Sequence, residues 1–357
     1  MNVYRILEVK DGDTVDALRR FLFAWWGLFR FDALLAPVET TELPGVAIRV
    51  VSDRAGLEKV NPFAPLMPVN SAALLDQLVH EKPKQCIGAI MRPCEVRTFI
   101  ELQKRQTRKR EPENLILISV DCSGTYTTPV YQGLIQSRGL KSVMRETLQD
   151  ATEGGLRARA IRTACLICEH PATRSADLTI GTIGVSTDRV LLLISRDELV
   201  DARSYLDQVT DGVATEYQAS HREALVGAMT DMRAGMRRTL TENLPGAYRF
   251  NDLGRFFGWL ASCSLCGKCL EACPLYELEF KRAASRRKDH LRERALLSEL
   301  VHLSRWLASC SGCGMCAENC LQQVPFSLLI SSLGHRIRQE MGYTPGDPAR
   351  SLPWADG

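Results

Sequence analysis

The sequence lacks any apolar run long enough to cross a membrane. Its longest candidate, Phe21–Phe29, has nine residues between flanking arginines, whereas a spanning helix begins at about 18 apolar residues. No cleavage site built from small residues follows this run, as a secretory signal would require. We therefore expect a chain without a membrane span that stays in the cytoplasm, and we expect Phe21–Phe29 to form part of a buried helix.

The motifs of several enzyme classes are also missing. The sequence has no phosphate-binding Walker loop, no G-x-S-x-G elbow of a serine hydrolase and no clear dinucleotide fingerprint. Its six histidines show no spacing typical of metal ligands or of a catalytic triad. We therefore predict no catalytic residue in this chain, and we expect its chemistry to come from bound cofactors.

Positive charge is in small excess. The 45 Lys and Arg residues against 42 Asp and Glu give a net charge of +3, which is too little to indicate nucleic-acid binding. Two basic runs, Lys104–Arg110 and Lys281–Lys288, lack the interleaved aromatic residues of nucleic-acid-binding segments. Such runs are typical of a solvated helix face. The alternative is a docking face for an acidic partner or for a cofactor with a polyglutamate tail.

Cysteine is concentrated in one part of the chain. Eight of the 13 cysteines lie between Cys263 and Cys320. Cys263–Cys273 has the spacing C-x2-C-x2-C-x3-C and is followed by proline, and Cys310–Cys320 repeats this spacing. In a reducing cytoplasm, closely spaced cysteines indicate metal or redox chemistry rather than disulfides.

The repeated spacing is typical of proteins with two 4Fe-4S clusters, in which the fourth cysteine of each motif binds the cluster of the other. We therefore assign one cluster to Cys263, Cys266, Cys269 and Cys320, and a second cluster to Cys310, Cys313, Cys316 and Cys273. Zinc is the alternative, but a zinc site has no use for eight cysteines in two triple runs. The 36 residues between the motifs have helical apolar spacing. The arrangement resembles the α-helical ferredoxin domains of heterodisulfide reductase and succinate dehydrogenase iron–sulfur subunits.

The first two hundred residues predict an α/β core with a mixed sheet, because short runs of Val, Ile and Leu alternate with amphipathic stretches. We predict strands over Val3–Val9, Ala33–Val38, Val46–Val51, Cys86–Met91, Leu115–Val120, Leu178–Gly184 and Val190–Ile194. Helices are predicted over Asp16–Phe29, Ser71–His80, Glu95–Gln106 and Arg222–Thr241. We place this core at residues 1–245, a small all-α domain with two 4Fe-4S clusters at 246–342, and a flexible tail at 343–357, with Pro245 and Gly246 marking the first boundary.

Four further cysteines lie at strand ends in the predicted core. Cys94 and Cys122 each follow a strand, and Cys165 and Cys168 form a C-x-x-C pair. Four thiols are the number that one more 4Fe-4S cluster requires, although a lone C-x-x-C is also compatible with zinc or a redox pair. Cys86 is left over, within a strand, and we expect it to be a buried, inert thiol.

The order of these features resembles the β subunits of coenzyme F420-reducing hydrogenase and F420-dependent formate dehydrogenase. The likeness comprises the segment Phe63–Val69, Pro93 with Cys94 before a helix, Cys122 after a strand, the pair Cys165 and Cys168, and the segment Ala176–Gly184. The formate dehydrogenase β subunits place two 4Fe-4S motifs after the core, as this chain does. The resemblance implies a flavin, usually FAD, beside the core cluster, with Gly181 and Gly184 as candidate contacts. Glycines around a strand are as often turn or bulge positions, which is the alternative for these two. That flavin would convert single electrons into a hydride for a deazaflavin.

Two functions follow from these interpretations. In the first, the chain is an electron-transfer subunit of an anaerobic oxidoreductase complex, with three 4Fe-4S clusters and a flavin. Its partners would be a catalytic subunit of formate dehydrogenase, hydrogenase or heterodisulfide reductase type and other iron–sulfur or flavin subunits, with F420 as carrier. In the second, the chain is a flavin-free relay that turns over no small molecule. The stretch Asp11–Leu18 favours the relay, because it has one glycine and several acids where the family has a Gly-Gly segment.

Overall fold

The fold was determined as a computed structural model, which describes residues 2–42, 45–105, 114–155, 160–196, 200–243, 263–276 and 292–354. The predicted boundary at Pro245 and Gly246 lies outside the described residues. So do the basic run Lys281–Lys288 and all but the first two residues of Lys104–Arg110.

An eight-stranded mixed sheet forms the centre of the chain. Its strands are β1 (Val3–Glu8), β2 (Ala33–Glu39), β3 (Val46–Val51), β4 (Ile87–Met91), β5 (Leu115–Val120), β6 (Leu178–Gly181), β7 (Val190–Ser195) and β8 (Gly212–Val213). Their spatial order is β3-β2-β4-β5-β6-β7-β1-β8. The central strands β2, β4, β5 and β6 are parallel, and the remaining pairs are antiparallel. The predicted mixed sheet is confirmed, while the two-residue strand β8 is too short to give a sequence pattern.

Helices cover both faces of the sheet. In the core they are α1 (Thr14–Phe29), α2 (Ala72–Glu81), α3 (Pro93–Lys104), α4 (Thr128–Arg138), α5 (Leu140–Thr152), α6 (Thr163–Leu166), α7 (Val200–Val209) and α8 (Glu216–Glu242). The C-terminal part contributes α9 (Lys268–Glu271), α10 (Arg292–Ser309), α11 (Met315–Glu318) and α12 (Phe326–Glu340). None of the helices in the described ranges combines the length and apolar composition needed to cross a bilayer.

Helix α1 contains the longest apolar run of the sequence. The Asp13 side chain caps its first turn by accepting a hydrogen bond from the Asp16 backbone N–H at 2.9 Å. Most of its apolar side chains, including Phe21 and Trp25, are buried in the cluster on one face of the sheet, whereas Phe23 is half exposed. This run is therefore a core helix, as its sequence predicts.

The C-terminal helices share a hydrophobic cluster with the α/β core. Trp306 of α10 and Ile330 of α12 pack in one buried cluster with Val96 and Phe99 of α3 and with Met91 of β4. Alternate residues of the central strands face this cluster and the cluster around α1, as the pleat of a sheet requires. The two cysteine-rich motifs are thus attached to the core through a common apolar interface.

The segment predicted to be a flexible tail packs against α3. Tyr343 and Leu352 are buried, and the Tyr343 hydroxyl donates to Glu101 Oε1 at 2.6 Å. The Gly346 backbone N–H donates to the same oxygen at 2.8 Å. The carboxylate of Glu101 is fully buried and needs such donors, so it orders a segment whose proline-rich composition suggested a loose end.

A buried ion pair joins α8 to the carboxyl end of β5. Arg222 donates from Nη2 to Asp121 Oδ1 at 2.5 Å and from Nε to Oδ2 at 3.0 Å. The backbone N–H groups of Thr182 and Ile183 also donate to Oδ2. The Asp121 side chain is completely buried, so its charge depends on this bidentate partner.

We expect Arg222→Met to lower the free energy of unfolding by about 3–5 kcal/mol, because it leaves a buried carboxylate without its counter-charge. The measurement is the midpoint of thermal unfolding of the anaerobic protein. Arg138→Gln is the control, because it removes an ion pair with Glu146 in which both side chains are about half exposed, and such a pair contributes little. Equal midpoints for the two variants would contradict the assigned role of Arg222.

Candidate metal centres

The four core cysteines lie around one cavity. Cys94 is in the first turn of α3, directly after β4, and Cys122 follows β5. Because β4 and β5 are adjacent and parallel, their carboxyl ends meet at one edge of the sheet. Cys165 and Cys168 reach the same edge from α6 and the residues that follow it, and all four cysteines line the cavity.

Arginines surround these four thiols. Arg92 Nη1 lies 3.7 Å from Cys122 Sγ, and Arg162 Nη2 lies 3.7 Å from Cys165 Sγ. Arg233 reaches the backbone of the same loops and donates to the Ser123 carbonyl at 2.8 Å. All three guanidinium groups belong to buried residues and line the cavity. No sequence motif marks these arginines, although Arg92 and Arg162 stand two and three residues before a core cysteine.

The protein environment shifts the pKa values of these thiols in different directions. Burial raises the pKa of Cys94 well above its ordinary value, with nearby Glu95 and neighbouring thiolates acting in the same direction. Burial also raises the pKa of Cys168. At Cys165, however, Arg162 and the hydrogen bonds from Thr125 overcome burial, so the pKa of this thiol is lowered. Thiolate is the form that binds metal, and the positive groups at the cavity stabilise it.

The two C-terminal motifs share one local geometry. A glycine with φ of 75° precedes α9 in the first motif and α11 in the second, at Gly267 and Gly314. This left-handed conformation favours glycine and turns the chain into a single helical turn that holds the third cysteine. The internal repeat of the sequence is therefore also a repeat of backbone structure.

The fourth cysteine of each motif lies near the other motif. The pKa of Cys269 is raised first by burial and then by the thiolate of Cys320, ahead of the two cysteines of its own motif. Burial and the thiolates of Cys313 and Cys310 raise the pKa of Cys273 to about 12. The thiol of Cys320 therefore lies near the first motif, and that of Cys273 lies near the second. Among the described residues, no three Cys, His, Asp or Glu side chains meet closely enough to hold a single metal ion.

Hydrogen-bond donors point at the C-terminal sulfurs. The indole Nε1–H of Trp306 donates to Cys273 Sγ at 3.2 Å. Backbone N–H groups of Gly312 and Val324 donate to the sulfurs of Cys310 and Cys320, each at 3.4 Å. Donors of this kind stabilise thiolate charge and tune the potential of a bound cluster. The soft donor sets, with their N–H groups and positive charges, fit 4Fe-4S clusters at the three sites.

The second motif docks directly on the core. Arg97 of α3 donates from Nη1 to the Ser311 carbonyl at 3.0 Å, and the hydroxyls of Thr98 and Ser311 lie 2.6 Å apart. Cys313 lines the cavity of the four core thiols. Gly314 approaches α6 so closely that a Cβ at this position would lie 2.3 Å from the Cβ of Ala164.

The two glycines proposed as flavin contacts have another role. A Cβ on Gly181 would lie 3.0 Å from Leu192 and 3.2 Å from Arg222, and one on Gly184 would lie 3.0 Å from Leu225. Both glycines therefore allow α8 to pack closely against the sheet. This packing gives a structural reason for glycine at both positions, and the φ of 72° at Gly184 gives a second reason there. Their contact with a flavin stays a prediction.

A wide groove lies between α12, the core and the segment Gly342–Pro345. Its cavity volume is about 370 Å³, and it is lined by residues of two thiol groups, Cys168 of the core and Cys310 and Cys316 of the second motif. Its remaining charged and ionisable wall residues are Arg97, Glu169, His170, Arg237, His335, Arg338 and Tyr343. Arg97, with burial and Arg338, lowers the pKa of His170 to about 2, so this imidazole is neutral and the positive charge of the groove comes from its arginines.

We expect Gly314→Ala to separate the second motif from the core, because the added methyl group meets Ala164. The protein should lose iron from the sites on both sides of this contact. Gly312→Ala is the matched control, since Gly312 has nearly the same φ of 74° but open space around its Cβ position. Iron analysis of both anaerobic proteins is the measurement. A Gly314→Ala protein with the iron content of the control would contradict the close contact.

Comparisons with known proteins agree with this geometry. Residues 85–211 match the family model described as the C terminus of the beta subunit of coenzyme F420 hydrogenase/dehydrogenase. Residues 259–324 match the model of a 4Fe-4S dicluster domain. A chain of the F420-reducing nickel–iron hydrogenase complex from Methanosarcina barkeri has a similar fold, with a TM-score of 0.50 and 12% identity over 67% of this chain and 91% of that one. Residues 85–211 are therefore similar to the C terminus of the coenzyme F420 hydrogenase/dehydrogenase β subunit, and residues 259–324 are similar to a 4Fe-4S dicluster domain.

Proposed function

We propose that this protein is an iron–sulfur electron-transfer subunit of an oxidoreductase complex and that it holds three 4Fe-4S clusters. The observation that carries the proposal is the gathering of twelve cysteines into three groups of four: the core group and the two crossed C-terminal groups. Each group supplies the ligand number of one cluster. The thirteenth cysteine, Cys86, is outside these groups: it immediately precedes β4 and is only partly buried, against the hydrophobic cluster around α1.

The bound clusters supply one-electron redox chemistry, and the protein determines their environment. Cys94, Cys122, Cys165 and Cys168 would hold the core cluster, with Arg92 and Arg162 beside the sulfurs. The Trp306 indole and backbone N–H groups would serve the C-terminal clusters. These contacts orient the thiolates and offset their negative charge.

We place the chemistry of the primary substrate on a partner subunit. The thiols are the nucleophilic groups gathered at the described sites, and as cluster ligands they would not be free to attack a substrate. The partner would be a catalytic subunit of formate dehydrogenase, hydrogenase or heterodisulfide reductase type. The similar fold in a hydrogenase complex supports such an assembly, and we propose the cytoplasm as its compartment.

The groove between α12 and the core favours a flavin or deazaflavin as the other redox partner. Its arginines, Arg97, Arg237 and Arg338, suit a phosphate- or carboxylate-bearing ligand, and thiols of two groups line its walls. The alternative function is a flavin-free relay. Stoichiometric flavin absorbance in anaerobically purified protein supports the first function, and its absence after incubation with FAD supports the relay.

We expect the anaerobically isolated protein to contain about twelve iron atoms, four for each of three clusters. Iron and acid-labile sulfide analysis of the fully reconstituted chain tests this number. An iron content near eight atoms would contradict the assignment of a core cluster. Zinc in place of iron would contradict all three clusters.

The crossed ligands give a separate expectation. Cys273→Ser should alter the cluster held by Cys310, Cys313 and Cys316, because its thiol lies among theirs. Cys320→Ser should alter the other C-terminal cluster. Serine sometimes ligates iron, so a changed potential counts as well as a lost signal. EPR spectra are compared with those of Cys313→Ser and Cys266→Ser as references for the two clusters. If Cys273→Ser reproduced the Cys266→Ser spectrum, the ligands would be local and not crossed.

A further inference from the structure

Two buried arginines lie between the core thiols and the second C-terminal motif. Arg97 and Arg162 are each only 6% exposed. Arginine stays protonated in proteins, so both side chains bring a full positive charge into the interior. A buried charge is costly without partners of opposite sign, and the partners of these two are informative.

Arg162 contacts both the core thiol group and the second C-terminal motif. Its Nη2 lies 3.7 Å from Cys165 Sγ in the core group. Its Nη1 lies 3.6 Å from the sulfur of Met315, which stands between Cys313 and Cys316 in the second motif. The same cavity is lined by Arg162, by the four core cysteines and by Cys313.

Arg97 also connects the core to the second C-terminal motif. It lies on α3, one turn after Cys94, and its Nη1 donates to the carbonyl of Ser311, the residue after Cys310. The groove that it lines has Cys168 on one side and Cys310 on the other.

The electrostatics of the two arginines agree with this geometry. Burial lowers the pKa of Arg162, but the thiolates of Cys165, Cys94 and Cys313 outweigh burial and raise it. Burial lowers the pKa of Arg97, and the thiolates of Cys168, Cys94 and Cys310 oppose that effect. Each guanidinium is thus attracted by thiolates of both groups.

We propose that Arg97 and Arg162 form a cationic junction shared by the core cluster and the second C-terminal cluster, and that one electron at a time passes directly between these two clusters on the side of Cys313. The inference rests on the proposed function, because it requires clusters at both sites. The electron that reduces one cluster leaves the other oxidised, and the external donor or acceptor is the partner of the complex. The first C-terminal cluster, held by Cys263, Cys266, Cys269 and Cys320, then lies outside this pair.

The junction has a defined electrostatic effect. Reduction adds one negative charge to a cluster, so a nearby guanidinium stabilises the reduced form and raises the reduction potential. A charge placed between two clusters raises both potentials together. It also lessens the repulsion between two negatively charged clusters, which allows both to be reduced in the same molecule. Arg97 and Arg162 are positioning residues in this scheme, because they act through the clusters.

The test is a potentiometric titration, followed by EPR, of the complete chain with its clusters. Arg162→Gln should move the potentials of the core cluster and the second C-terminal cluster to more negative values and leave the first C-terminal cluster unchanged. Arg162→Lys keeps the positive charge and should restore both potentials towards those of the original protein.

Arg233→Gln is the matched control. Arg233 is also buried, but its hydrogen bonds go to the carbonyls of Cys122, Ser123 and Cys168, all in the core loops. Its loss should therefore shift the core cluster alone. The junction is overturned if Arg162→Gln also shifts one cluster only, or if it shifts all three equally.

The unmodified protein provides a test that does not depend on a variant's folding. When the core and second C-terminal clusters are both reduced, their EPR signals should be broadened by mutual spin coupling, because they are adjacent. Two fully independent signals would overturn the direct path. Iron analysis separates the two proposals: fewer than three clusters would contradict the proposed function, whereas three clusters without a joint shift would contradict only the junction.

Discussion

The concentration of negative charge on buried thiolates is the constraint on which this structure depends. Removing one thiolate from water costs free energy, and grouping four of them adds mutual repulsion. The chain meets this cost with positive charge and with donors aimed at sulfur. Arg92, Arg162 and Arg233 surround the core group, and the Trp306 indole serves Cys273. Arginine suits this task, because it keeps its charge when buried and presents several donors in a fixed plane.

The sheet of the α/β core brings the core thiols together. Parallel strands β4 and β5 end side by side, so the cysteines that follow them are brought to one edge without any local sequence relation between them. Helix α8 covers this edge and is fastened there by the ion pair between Arg222 and Asp121. The residue after Asp121 is Cys122, so the clamp that holds the helix also fixes the backbone of a core thiol. The second C-terminal motif is held against the same edge by Arg97 and by the close contact of Gly314 with α6.

Local patterns predicted much of this molecule. Seven strands and the main amphipathic helices follow from apolar periodicity. A strand or helix that buries one side has apolar residues at a fixed spacing along the sequence. Helices α4 and α5 were not predicted, and α4 has few apolar residues on a consistent face. The flexibility predicted for the C-terminal tail is not found around Tyr343. This residue is held by a hydrogen bond to Glu101, which lies more than 240 residues away along the chain.

The candidate sites were likewise predicted in part from the sequence and decided in part by the tertiary structure. The spacing of the eight C-terminal cysteines indicates two clusters by itself, because the ligands of a ferredoxin motif are close neighbours in sequence. The convergence of Cys94, Cys122, Cys165 and Cys168, the position of Cys313 beside them and the roles of Arg97 and Arg162 were decided only by the tertiary structure. So was the function of Gly181 and Gly184, which accommodate α8. The sequence determines which groups can bind a cluster, whereas long-range packing determines which charges face that cluster, because the partners of a buried charge come from distant parts of the chain.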